Sequence, residues 1–328
     1  MCRKINKRIV FTISFLLLFL SSSFAADLRV HFIDVGQGDS ILVIGTNNKK
    51  LLIDTGDHYK NTESENKRNA FKYIEKLKTA GVIDDLVLDY VLLTHYDTDH
   101  YKGFNYLCKP DNGKNKPDYF IGSFYYGREE SNLQQVIQCI QRYSPGKQTI
   151  KQVSARGPPE IDLGEQVTVS TIYPFENLAG FSKKGEKNDN SIVLKITYKN
   201  NSFLLTGDIS KKTEKLLLNK DISATVLKVG HHGSETSSSP DFLDALKLDY
   251  AVISANDKDY GEDGKKNYGH PTNDALKRLK ERIEASNFYR TDLHGSIVFT
   301  SDGDGITVEP TNSQVPESLL WKSGEKRK

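Results

Sequence analysis

No stretch of this 328-residue chain is apolar for long enough to cross a bilayer, since its longest apolar run is the twelve residues Ile9 to Leu20 and a spanning helix needs about 20. With a mean hydropathy of −0.53, this excludes a polytopic membrane protein. The chain also lacks the biased composition of a disordered or repetitive protein. It has 10% aromatic residues and ten prolines, and carries enough apolar surface to offset the entropy of ordering one large domain. Cysteine is scarce, at three residues, and none stands immediately after the SSSFA segment at Ser21 to Ala25, which argues against a lipid-anchored cysteine. Net charge is small as well, with 45 basic and 43 acidic residues.

What is present begins with a secretory pattern. Arg3, Lys4, Lys7 and Arg8 precede the apolar run, and Ser23 and Ala25 occupy the small-residue positions of a cleavage site, so residues 1–25 read as a signal peptide. The working protein is then expected to start at Ala26 and to be secreted or periplasmic, with no stable membrane insertion once the signal is removed. Loss of those four basic residues takes the net charge from +2 to −2. Such a surface exerts no overall attraction on a polyanion, although Lys183, Lys184 and Lys187, and Lys265 and Lys266, put local positive charge near motifs. Cys108 and Cys139 remain as an even pair, compatible with a disulfide or with two buried thiols. Oligomeric state is not legible.

Short β-branched runs around a Gly-rich turn in LRVHFIDVGQGDSILVIG predict a hairpin. LLIDTGD reads as a third strand, and Phe71, Ile74 and Leu77, spaced by three with Gly81 as a stop, predict a helix. LDYVLLTH is a fourth, doubly buried strand. From Cys108 to about Gly157 the pattern shifts to a loop, the aromatic strand YFIGSFYY and the helix SNLQQVIQCIQRY, which read as a surface excursion. A second set of strands follows: QVTVSTIYP, a hairpin in SIVLKITYKNNSFLLTGD, ATVLKVGHHGS, YAVISAN and GSIVFTSDGDGITVEP. Helices intervene at KKTEKLLLNK, SPDFLDALK and TNDALKRLKERIE. Two strand-rich halves with helices predict an α/β fold, an αββα sandwich of two mixed sheets packed face to face. The domain is expected to span residues 26–310, with 311–328 a flexible tail.

Ligand-type side chains collect where apolar strands end. THYDTDHYKG places His95, Asp97, Asp99 and His100 within six residues, and uncompensated carboxylates so close would repel unless a cation sat among them. FLLTGDIS puts Asp208 after a strand and a turn-permitting glycine. LKVGHHGS ends in His231 and His232, which cannot both face one way on an extended strand. One is therefore expected to bind metal and the other to face substrate or support a ligand. YGHP adds His270, and Asp34 and Asp54 stand at two further strand ends.

The motifs HFIDVGQGDS, LLIDTGD, THYDTDHYKG, NDNSIVL, FLLTGD, LKVGHHGS and YGHPTNDAL occur in the order seen in metallo-β-lactamase-fold hydrolases. DVGQGDS with HHGS resembles more specifically the hydrolase domain of the ComEC/Rec2 competence proteins, over about Val30 to Asp302. The resemblance implies a free-standing secreted version, without the membrane channel that accompanies this domain in full-length members. It implies one or two divalent metal ions. Asp99 and His100 would hold one, His95 and Asp97 its neighbour; Asp208 would bridge them and His231 complete the first site. Asp34 and Asp54 would support ligand histidines, with turn hydrogen bonds as the structural alternative. The superfamily usually has histidine at Asp97 and a further histidine before NDNSIVL, where Lys187 and Asn188 stand here. Trading imidazole for carboxylate makes the second site harder, so Mn²⁺ competes with Zn²⁺.

Metals so held make hydroxide available at neutral pH. Asp99 or Asp208 would take the proton, and His270 and the second histidine of HHGS, His232, would contact a phosphoryl oxygen or leaving group. The implied function is a metal-dependent phosphodiesterase or nuclease acting on DNA. The alternative is a phosphorylcholine esterase-like enzyme acting on a small or surface-bound ester, with Tyr125, Tyr126 or Trp321 holding a quaternary ammonium.

Overall fold

A computed structural model of the chain describes residues 26–56, 68–108, 119–127, 132–143, 148–153, 160–174, 187–256 and 269–324. The proposed signal peptide, Lys183, Lys184, Lys265 and Lys266 lie outside the described residues. In chain order the strands are β1 (Leu28–Phe32), β2 (Ile41–Ile44), β3 (Lys50–Ile53), β4 (Val87–Leu93), β5 (Phe120–Tyr126), β6 (Thr149–Gln152) and β7 (Val167–Tyr173). They continue as β8 (Val193–Tyr198), β9 (Asn201–Leu205), β10 (Val226–Lys228), β11 (Tyr250–Ile253), β12 (Phe288–Arg290), β13 (Ile297–Ser301) and β14 (Ile306–Pro310). Among the described residues they form two mixed sheets, ordered β14-β13-β1-β2-β3-β4-β5-β6 and β12-β11-β10-β9-β8-β7.

Alternation along the strands sorts the apolar side chains into layers. Val30 and Phe32 of β1, Val43 of β2 and Leu92 of β4 meet Leu194, Ile196, Phe203 and Val226 of the second sheet in the central core. On the outer face of the first sheet, Leu42, Val91 and Leu93 pack against Phe71 and Ile74 of the helix Ala70–Thr79 and Val136 and Ile140 of the helix Leu133–Tyr143. On the outer face of the second, Leu204 and Leu227 meet Leu217, Phe242 and Leu246, Leu276 and Leu279 from the helices Lys211–Leu217, Pro240–Leu246 and Asn273–Lys280. This is the αββα sandwich of the metallo-β-lactamase fold. The helix Ala70–Thr79 starts where Asn69 accepts hydrogen bonds from the Phe71 and Lys72 amides, the arrangement that favours Asn at a helix N-cap.

Two expectations change. YFIGSFYY is not part of a surface excursion: β5 pairs in parallel with β4 and carries β6 beyond it, and Phe124 and Tyr125 are buried. An aromatic, β-prone segment is read correctly as a strand, but its partner is chosen by long-range packing. The segment after residue 310 is ordered through Gly324, because the helix Glu317–Leu320 buries Leu320 in the outer core of the second sheet. Cys139 is disulfide-bonded, while the Cys108 side chain is outside the described set.

Parallel pairing positions the site. β3 and β4 run parallel, as do β9, β10 and β11, so their C-terminal ends lie along one edge of each sheet. The β1–β2 loop joins that edge: the Asp39 amide donates to the Asp99 carbonyl at 3.2 Å. Gly38 makes this approach possible, since at φ 118° a Cβ there would lie 1.9 Å from the Asp99 carbonyl oxygen.

Candidate metal centre

The loop after β4, the turn after β9 and the turn after β10 bring the side chains of His95, Asp97, Asp99, His100, Asp208 and His232 together. Oδ2 of Asp208 lies 3.3 Å from His100 Nε2 and 3.2 Å from His232 Nε2, and His232 Nε2 lies 3.4 Å from Asp99 Oδ2. Around Asp208 the other way, His95 Nε2 is 4.0 Å from Asp208 Oδ2 and 3.9 Å from Asp97 Oδ2. Asp208 thus stands between a tight group of donors and a looser one.

The imidazoles are oriented from behind. His100 Nδ1 meets Asp54 Oδ2 at 2.7 Å, and Asp54 is itself fixed by the Thr94 amide and hydroxyl at 2.8 and 2.6 Å. His232 Nδ1 donates to the Ser254 carbonyl at 2.9 Å. A carbonyl only accepts, so Nδ1 carries the proton and Nε2 presents its lone pair to the cluster in the neutral ring. His95 Nδ1 faces the Ser191 and Thr94 hydroxyls at 3.3 and 3.2 Å. The Nε2 atoms of His95, His100 and His232 are buried without a hydrogen-bond partner, although buried polar atoms are ordinarily satisfied.

Those orphaned atoms fit divalent cations. Ligands about 2.0–2.1 Å from a tetrahedral zinc are separated by about 3.4 Å, close to the spacing of the His100–Asp208, His232–Asp208 and His232–Asp99 pairs. The His95/Asp97/Asp208 group is wider and richer in oxygen, which suits a harder ion or completion by water. Lys187 Nζ stands 3.8 Å from Asp97 Oδ1, and Asn188 Nδ2 contacts His231 Nε2 at 3.0 Å. The two residues at the place of the absent superfamily histidine therefore border the site.

Charge at the centre is organised around protons on the histidines. Burial disfavours the His232 cation, yet Asp208, Asp99 and Asp39 overcome this and push its pKa up to about 10. Burial also opposes the His100 cation, and Asp208 and Asp54 raise it well above the ordinary range. Burial and the neighbouring His100 charge hold His95 well below it. Burial would raise the Asp99 carboxyl, but His232 and His100 bring it far down. The raised pKa values of His100 and His232 favour the cationic rings, whose charge offsets the neighbouring carboxylates.

The paired histidines are exchanged relative to expectation. His231 was expected on the metal and His232 beside the substrate; it is His232 that joins the donors, while His231 is directed to Asn188 and to the Thr236 hydroxyl at 3.2 Å. The cause is the backbone. The chain leaves the extended conformation at Gly230, and His231 and His232 both adopt left-handed φ, 46° and 52°, so strand alternation does not apply. Such residues cost about 1–3 kcal/mol each, and the turn is held by Glu214, which accepts from the Ser238 and Ser239 amides, and by Arg278, which donates to the Glu235, Ser237 and Ser238 carbonyls. His270 lies beside His231, with ring centroids 5.3 Å apart. Both line the cleft over the donors with Gln37 and Thr98.

Asp54 supports His100, as the resemblance implied. Asp34 instead accepts from the Gly36 amide at 3.1 Å and pairs with Arg68 at 3.3 Å, the turn role. One residue was missed. Lys228 is fully buried; its ammonium meets Asp39 Oδ2, donates to the Gly207 carbonyl at 2.9 Å and lies 3.6 Å from Asp208 Oδ1. The sequence did carry a signal, a lysine inside an otherwise apolar strand. Tyr125, Tyr126 and Trp321 occupy three different packing layers and form no shared cage.

Residues 33–138 match the Metallo-beta-lactamase superfamily. The chain is 30% identical over 295 residues to ComE operon protein 3 of Bacillus subtilis, covering 86% of this chain and 34% of that protein. It is 29% identical over 283 residues to Competence protein ComA of Neisseria gonorrhoeae, covering 84% and 33%. It therefore spans about a third of the length of these relatives. Among solved structures, the metallo-β-lactamase fold protein YhfI from Bacillus subtilis is similar over 80% of this chain and 95% of its own, at 12% identity and a TM-score of 0.45. No helix among the described residues is long and apolar enough to cross a membrane.

Proposed function

We propose that this chain, a Metallo-beta-lactamase superfamily hydrolase related to the competence proteins, is an exported metal-dependent phosphodiesterase that cleaves DNA. The observation that carries the reading is the ring of donors around Asp208, with separations of 3.2 to 3.4 Å on its tight side and histidine Nε2 atoms left unpartnered inside it. Similarity to proteins named for competence and recombination supports DNA as the diester. Export rests on the basic, apolar and small-residue succession of residues 1–25.

In this reading His100, His232, Asp99 and Asp208 would hold one cation, and His95, Asp97 and Asp208 the other. Zn²⁺ and Mn²⁺ both suit this donor set. When bound, such ions lower the pKa of water and polarise phosphoryl oxygens. The protein's own groups do the rest. Asp99, a carboxylate facing the cleft, accepts the proton of the attacking water. His270 and His231, on the opposite lip, orient the phosphoryl oxygens and the departing oxygen. His232 supports the centre as a ligand.

Elemental analysis of the purified protein, with turnover of single-stranded DNA, double-stranded DNA and bis-p-nitrophenyl phosphate in Zn²⁺ and Mn²⁺, tests the proposal. Asp99→Ala should lose both metal and turnover; full activity in that variant would refute the assignment. Cleavage of small choline or cell-surface esters with no action on any nucleic acid would overturn the DNA substrate and leave the centre standing. An N-terminus at Ala26 in exported material is expected by mass spectrometry, and an intact Met1 there would refute cleavage.

A further inference from the structure

After β14 the chain returns to the second sheet and then to the lip of the cleft. Leu320 is buried, and the Trp321 ring stacks on Phe288 with centroids 4.7 Å apart and planes 6° from parallel. Arg290, buried and fixed by two bonds of 3.0 and 2.6 Å to Asp292, donates to the carbonyls of Leu320 and Lys322 at 2.8 and 2.6 Å. These contacts anchor the segment, but it runs on. The Gly324 amide donates to the Pro271 carbonyl at 2.8 Å, and a Cβ on Gly324 would lie 2.1 Å from the His270 carbonyl oxygen.

The other side of the same dipeptide rests on the turn that carries the paired histidines. The Thr272 amide and hydroxyl donate to the Gly233 carbonyl at 2.9 and 3.1 Å, and a Cβ on Gly233 would lie 2.7 Å from Pro271 Cβ. Residues 270–272 are therefore clamped between two glycine backbones, one from the HHGS turn and one from the segment 317–324. In both contacts the missing Cβ is what permits the close approach. Anchoring on Leu320 and Trp321 would satisfy the outer core without the three further residues to Gly324, which bring the chain to the histidine loop.

We propose that the segment 317–324 is a positioning strap for His270, setting through Gly324 the depth at which its imidazole faces the metal centre. This rests on the reading of His270 as a substrate-facing group. A group displaced by about 1 Å from its productive position loses roughly 10²-fold in rate, so the strap acts on turnover more than on binding or metal content.

Test the full chain, metal-loaded, on bis-p-nitrophenyl phosphate with Gly324→Val, Gly324→Ala, His270→Ala and the double variant Gly324→Val/His270→Ala. Gly324→Val should lower kcat by roughly 10- to 100-fold with KM and bound metal little changed, and Gly324→Ala by less. In the His270→Ala background Gly324→Val should cost nothing further, because both act through one imidazole; equal losses in both backgrounds would overturn the proposal and leave only a packing role. Trp321 is the chain's one tryptophan, so an unchanged emission spectrum in the Gly324 variants certifies that the strap is still docked. A second readout needs no turnover: the His270 imidazole resonance, assigned by its loss in His270→Ala, should shift in Gly324→Val. If His270→Ala is fully active, the substrate-facing reading of His270 fails, and the resonance alone decides the strap; an unmoved signal refutes it.

Discussion

Replacing Lys228 with methionine removes a buried ammonium while nearly preserving the volume of the side chain. The ammonium has three partners, Asp39 Oδ2, the Gly207 carbonyl and Asp208 Oδ1, in a place where Lys228 is 0% and Asp39 2% exposed. Without it, Asp39 loses the cation on its Oδ2 and keeps only the His232 ring, 3.6 Å from its Oδ1; breaking a buried pair in this way costs about 3–5 kcal/mol. That is a large share of the roughly 5–15 kcal/mol that holds most domains folded. Urea unfolding in the presence of chelator measures it, as a lowered midpoint at unchanged slope. The deficit should be flat between pH 7 and 9. Burial lowers the Lys228 pKa, but Asp39 and Asp208 raise it above the ordinary 10.5. A raised ammonium gives its full stabilisation below the unfolded value and loses it only as pH climbs through the higher folded one. Asp39→Asn/Lys228→Met should recover much of the loss, because no unpaired charge remains. A single-variant cost under about 1 kcal/mol, or strictly additive losses in the pair, would refute the reasoning.

Other perturbations read the remaining features of the centre. Asp54→Asn keeps a side chain tolerant of the left-handed φ of 56° at that position but removes the charge behind His100, and should weaken metal binding about 10- to 100-fold in a chelator competition, with the fold intact by circular dichroism. In chelator, stability should decline as pH rises from 7 towards 9.5. The His100 and His232 pKa values are raised, so their stabilisation is complete below the ordinary 6.5 and lost as the folded values are approached, about 10 for His232; a thermal midpoint flat over that range would count against it. For the same reason, adding Zn²⁺ or Mn²⁺ at pH 7 should release about two protons, readable in weak buffer, and no release would contradict protonation of those rings. Glu214→Gln should raise KM or lower kcat at unchanged metal content by loosening the turn at His231, an effect that kinetic assays on the loaded protein would detect.

The donors that sequence pattern located are those standing directly at the ends of apolar strands. His95 follows β4 and Asp208 follows β9, and an uninterrupted apolar strand can only be a buried one whose last polar residue emerges at a sheet edge. Parallel pairing then aligns the edges, which is why the motifs converge although more than a hundred residues separate some of them. Legibility failed where tertiary contacts, not period, set direction. Choosing between His231 and His232 required the φ values after Gly230, and those are enforced by Glu214 and Arg278, residues that look like ordinary helix-surface charges in sequence. Lys228 was visible only as an anomaly, since a lysine in a three-residue strand has no partner until the β1–β2 loop is folded over it. The ordered segment beyond residue 310 was missed for a similar reason: its polar composition argues for solvent, whereas its placement is decided by one buried leucine, a stacked indole and an arginine that consumes its carbonyls. All three cases share a cause. Each depends on a buried charge or a backbone group whose partner lies far away in the chain, and the cost of leaving such a group unpaired fixes the local geometry more strongly than any propensity of the residue itself. A charged residue inside an apolar run, or a glycine within a polar segment, therefore marks a place where a distant partner should be sought: Lys228 finds Asp39 and Asp208, and Gly324 finds the backbone of His270 and Pro271.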